Sequence, residues 1–138
     1  GKSLGFIFLF MLATFAIYIP MDGFLYPDWG TVVQFNNDEV YYSGEATEED
    51  ARLLEKELRK LEFFDNSGYS VRIHSDMVNG SRQDTVSFVI LSWAMEDPTI
   101  EEYYRGLGRS LVDAGFRSPL CVKFCDENLI ALKTMWIE

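Results

Sequence analysis

Leu4 to Ile19 reads LGFIFLFMLATFAIYI, sixteen residues without a charge, and Ser3 to Met21 extends the uncharged run to nineteen. At about 1.5 Å per residue, a helix of that length is about 28 Å long, close to the thickness of a bilayer's hydrocarbon core. The run is apolar on every side rather than along one stripe, which does not suit the surface of a water-soluble domain. Pro20 ends it. Phe24, Tyr26 and Trp29 follow, interleaved with Gly23 and Pro27, as an aromatic belt at a membrane interface would. The expected organisation is a transmembrane anchor over residues 1–21, an interfacial linker over 22–30 and a globular domain over 31–138. A cleaved signal peptide fits less well, because Thr14-Phe15-Ala16 is a poor cleavage site. A greasy core helix is the remaining alternative.

Lys2 precedes the apolar run, and Asp22 and Asp28 follow it. The positive-inside rule then keeps the N-terminus in the cytoplasm and carries the domain to the extracytoplasmic side, periplasmic or extracellular. Charge excludes other classes of partner. Twenty-two acidic residues against 12 basic ones give a net charge of -10, which repels the phosphate backbone of nucleic acids. Two cysteines stand against the oxidising side of a membrane unless they are buried and inert. Cys121 and Cys125, in an extended segment, would lie about 13 Å apart on one face, too far to bridge each other.

Beyond Thr31 the pattern becomes that of an α+β domain. Thr31–Phe35 and Val40–Tyr42 are β-type runs on either side of an Asn36-Asn37-Asp38 turn. Thr47 caps a helix with Glu48, Glu49 and Asp50 in its first turn, and Ala51, Leu54, Leu58 and Leu61 form its apolar stripe. Ser70–Ser75 alternates, and Thr85–Trp93 is a longer strand, with Asn79-Gly80 between them in a connection of more than two residues. Asp97-Pro98 opens a second helix. Leu120–Phe124 and Leu129–Trp136 close the chain as a hairpin.

Leu54, Leu58 and Phe63 recur 53 residues later as Leu107, Leu111 and Phe116, which marks two related β-α-β units. Two such units in series predict a ferredoxin-like two-layer sandwich, β-β-α-β-β-α-β-β, with an antiparallel sheet and both helices on one face. Its first and third core strands would be central. The α-β-β-α-β core order resembles the ring-building modules of bacterial secretion and sporulation assemblies, which implies an assembly role beside a membrane helix.

No chemical constellation stands out in the sequence. His74 is the one histidine and no base, acid or nucleophile neighbours it in the pattern. Gly106-Leu107-Gly108 lies inside a helix, where it serves packing rather than phosphate binding. No metal or cofactor is expected. The face of the sheet away from the helices would present Arg72, His74, Val89, Leu91, Trp93, Cys121 and Lys123, an apolar centre with a polar rim, which either meets a partner or is covered by the N-terminal hairpin or by Phe24–Trp29. The sequence therefore points to a non-enzymatic interaction or assembly module that binds another protein or itself, with a small-ligand sensor as the alternative.

Overall fold

The computed structural model describes residues 29–138, so the apolar run and Phe24 and Tyr26 lie outside the described residues. Six strands and two helices follow in the order β1 (Thr31–Phe35), β2 (Asp38–Gly44), α1 (Glu48–Lys60), β3 (Ser70–Val78), β4 (Ser81–Val89), α2 (Pro98–Asp113), β5 (Leu120–Cys125) and β6 (Ala131–Ile137). Among the described residues no helix is long and apolar enough to cross a membrane.

The helix starts follow from local chemistry. Thr47 accepts from the Asp50 backbone N–H while the Asp50 carboxylate accepts from the Thr47 N–H, a reciprocal cap that satisfies two otherwise orphaned donors. Asp97 caps α2 by accepting from Thr99 N–H, with Pro98 in the first turn where its missing donor costs nothing. Both helices leave for the next strand in the same way. Phe63 N–H donates to the Leu58 carbonyl and Phe116 N–H to that of Leu111, so the 53-residue sequence repeat is also a structural one.

The sheet runs in sequence order, β1-β2-β3-β4-β5-β6. Strands β2 and β3 are parallel, as are β4 and β5, and the other neighbours are antiparallel. The expected antiparallel sheet is thus a mixed one. Nor do the first and third core strands share the centre: β3 and β4 do, because each helix crosses over to the adjacent strand. Both strand orders bury the same alternate residues, so the alternation in sequence does not distinguish them.

Both helices nevertheless cover one face. Arg82, on the same side of β4 as Val86, reaches Asp50 of α1 at 2.7 Å. Gly108 of α2 lies so close to Val122 and Ile137 that a Cβ there would stand 2.7 Å from Ile137. The two crossovers step in the same direction across the sheet, from strands that point opposite ways, to helices on the same side. They therefore have opposite hands, and one of them is left-handed, against a rule obeyed by about 98% of such connections. The rings of Phe63, Phe88, Tyr104 and Phe124 meet where the two units join, with Tyr104 4.9 Å from Phe88 and 5.2 Å from Phe124.

Two boundaries differ from expectation. The β3–β4 connection is the two-residue turn Asn79-Gly80, with φ of 52° and 81°, because β3 continues to Val78 and β4 begins at Ser81. Strand β4 ends at Val89 instead of Trp93. Its neighbour β5 ends at Cys125, so Leu91 to Trp93 have no strand to pair with, and a 3-10 turn over Ser92–Ala94 buries Ala94 and Met95.

The ring cluster gives a test. Phe88→Ala should lower unfolding free energy by about 3–5 kcal/mol in urea titrations. Tyr104→Phe should change it by less than about 0.5 kcal/mol, since the half-buried Tyr104 hydroxyl makes no hydrogen bond among the described residues.

Candidate functional site

The sheet has an inner face, beneath the helices, and an outer face. Cross-strand register fixes what the outer face presents: Ser43, His74, Thr85, Cys121 and Trp136 form one row, and Tyr41, Arg72, Ser87, Lys123 and Thr134 the next. Of the residues expected here, Arg72, His74, Val89, Cys121 and Lys123 share this face. Leu91 and Trp93 do not, because they lie beyond the end of β4.

Trp29, expected at a membrane interface, is instead packed on this face and only 4% exposed. Its ring meets that of Tyr41 edge-on with centroids 5.5 Å apart, and its carbonyl accepts from Arg72 Nε. The described chain therefore enters the domain over the outer face of β2 and β3. Burial, followed by the neighbouring Glu39 carboxylate, pushes the Tyr41 phenol far above its ordinary range, so it stays neutral and donates to Glu39.

His74, without a neighbour in the sequence pattern, has partners in the fold. Its Nδ1 lies 2.7 Å from Ser43 Oγ and its Nε2 3.0 Å from Asp76 Oδ1. Arg72 donates from Nε and Nη2 to Ser43 Oγ, at 3.2 and 2.9 Å. With its lone pairs engaged by Arg72, the Ser43 hydroxyl directs its proton to His74 Nδ1, which leaves the imidazole proton on Nε2, facing Asp76. Gly44, at φ +66°, makes room for the ring: a Cβ there would sit 2.8 Å from His74 Cε1. Serine, imidazole and carboxylate stand in the order of a proton relay, but with Arg72 on the serine oxygen the hydroxyl bridges β2 to β3. Ser43 and His74 are 31 residues apart, and only the parallel register of β2 and β3 brings them together.

Cys121 and Cys125 are free, buried thiols, and burial raises the pKa of both despite the hydroxyls of Thr85 and Ser87 beside them. They are held as unreactive thiols. On the inner face, Asp84 is buried and accepts from Ser75 Oγ, Arg82 Nε and Arg117 N–H. Burial works against ionised Asp50, but the Arg82 guanidinium and the cap of Thr47 outweigh it and hold the carboxyl below its usual range. No group of His, Cys, Asp and Glu among the described residues is arranged to hold a metal ion.

A second feature lies at the far end of the strands. There β4 and β5 end and β6 begins, and Lys133 Nζ donates to the Met95 carbonyl, tying the 3-10 turn to β6. Trp93 is 77% exposed, Leu132 55%, and Leu91 and Ile130 nearly half. Leu91 and Trp93, expected in the centre of a sheet face, lie here instead, and Ile130 and Leu132 are exposed here too, although the pattern of β6 does not reveal its register. Compared with known protein families, curated proteins and solved structures, the chain matches none.

The Ser43 bridge predicts a ranking. Ser43→Ala removes the acceptor of two Arg72 bonds and should cost about 1–3 kcal/mol in chemical denaturation. Asp76→Asn, on an exposed side chain, should cost less than about 1 kcal/mol.

Proposed function

We propose that the chain is a non-enzymatic, membrane-anchored interaction module, ferredoxin-like in the order of its elements, that docks another protein or a second copy of itself. Residues 4–19 would lie in lipid and residues 29–138 on the extracytoplasmic side. The observation that carries the reading is the apolar end formed by Leu91, Trp93, Ile130 and Leu132. Four large apolar side chains exposed where β4 and β5 end and the edge strand β6 begins are what a partner would cover.

The place of that patch separates a protein partner from the bilayer. Trp29 packs on Tyr41, midway along β2, and Gly30 lies against Tyr42 and Ser43, toward the end of β2 away from the row of Val89 and Cys125. Seven residues, 22–28, separate the expected anchor from the domain and reach at most about 25 Å. In this proposal the anchor joins at the outer face over β2 and β3, and the apolar end is free to turn away from the membrane. The bridge at Ser43 supports a non-enzymatic role, since the hydroxyl is tied to Arg72.

The test is cross-linking in intact membranes with the full chain. Trp93→Asp combined with Leu132→Asp should weaken the cross-linked adduct by about thirtyfold or more while circular dichroism is unchanged. Adducts that survive at the original yield would remove the patch from the account. A second reading, a ligand-sensing regulatory domain, is favoured by one observation: a groove of about 280 Å³ on the outer face, lined by Thr85, Lys123, Thr134 and Trp136 among others.

A further inference from the structure

We infer that this groove binds a small aromatic carboxylate, with Lys123 as its counter-ion and Trp136 as its apolar wall. The inference deepens the sensor reading. It stands apart from the docking end, so binding of the ligand and loss of the partner are separately measurable.

Lys123 carries the argument. Lys60 and Lys133 are ion-paired with glutamates and Lys56 is exposed, whereas half-buried Lys123 makes no hydrogen bond or ion pair among the described residues. A partly buried lysine usually has an acidic partner, and in a chain with 22 acidic residues one would have been easy to supply. Its immediate neighbours on the sheet are neutral: Ser87 and Thr134 flank it in register, and Cys121 lies two residues away on the same face, while Asp76, the carboxylate that lines the groove, is engaged by His74.

The other groove residues define the ligand. The hydroxyls of Thr85 and Thr134 and the side-chain amide of Gln83 line the groove with uncharged donors that suit carboxylate oxygens. One ammonium group, with the Asp76 carboxylate also lining the groove, matches a singly charged anion better than a phosphate dianion. Trp136, 49% exposed on edge strand β6, offers its indole as a flat wall, which selects a planar apolar body. The volume of about 280 Å³ lies just under the usual range of about 300–1,000 Å³ for ligand pockets, so the ligand is small.

Equilibrium dialysis of benzoate against the full chain in zwitterionic micelles, with empty micelles as the blank, tests this. Benzoate should bind saturably at one site, and benzamide, the same shape without the charge, should not compete. Lys123→Met should weaken benzoate binding about tenfold or more, and Trp136→Ala several-fold. No saturable binding above the blank would overturn the site, as would benzamide competing equally well. Inorganic phosphate displacing benzoate at equal concentration would show charge alone to be recognised and overturn the aromatic assignment. If Lys123→Met does not fold, the benzamide comparison on the unaltered chain decides alone. Intact partner cross-links with benzoate bound would leave the docking reading untouched.

Discussion

The rings of Phe63, Phe88, Tyr104 and Phe124 form the joint on which the domain depends. Phe63 comes from the end of the first crossover, Phe88 from β4, Tyr104 from α2 and Phe124 from β5, so the cluster ties both β-α-β units to one side of the sheet. Each edge-on pair contributes about 0.5–1.5 kcal/mol beyond simple burial. Two right-handed crossovers would put the helices on opposite faces and divide this core in two. One shared face gives a small domain a single core of useful depth, including the fully buried Leu54, Leu58, Ile73 and Leu111.

The same constraint determines what remains for function. With both helices on the inner face, the outer face of six strands has, among the described residues, Trp29 and its own side chains for cover. It manages through cross-strand hydrogen bonding, with Ser43 joining Arg72 to His74 and Glu39 accepting from Tyr41 and Ser70. Lys123 falls outside that network. At the far end, the sequential strand order stops β4, β5 and the turn before β6 together, and their connections carry the exposed apolar groups. A sheet with sequential neighbours thus separates chain entry, polar groove and apolar end along one surface.

Much of this was legible in the residues. The Thr47 and Asp97-Pro98 caps, the two apolar helix stripes and the 53-residue offset from Leu58 and Phe63 to Leu111 and Phe116 all describe local geometry, and local geometry is what a sequence pattern encodes. Strand order was not legible, because Val71, Ile73, Val86 and Phe88 face inward whichever strand lies beside them. The end of β4 was misjudged because Ile90 to Trp93 prolongs an apolar run, and only the short length of β5 reveals that these residues lack a partner. His74 read as solitary for a similar reason. Its partner Ser43 belongs to a different strand, and Asp76, two residues on, has meaning only once the strand extends to Val78. Trp29 looked like part of an aromatic belt because Tyr41, the ring it packs on, comes from β2.

The proposed arrangement joins the anchor to the outer face over β2 and β3 and turns the apolar end away from the bilayer. A nitroxide spin label on Trp93→Cys in the full chain, reconstituted in lipid vesicles, measures this directly through its relative accessibility to oxygen and to a water-soluble nickel chelate. The account predicts a label open to the nickel chelate, with the low oxygen accessibility of an aqueous site. A label shielded from nickel and exposed to oxygen would place position 93 in the hydrocarbon and contradict the account.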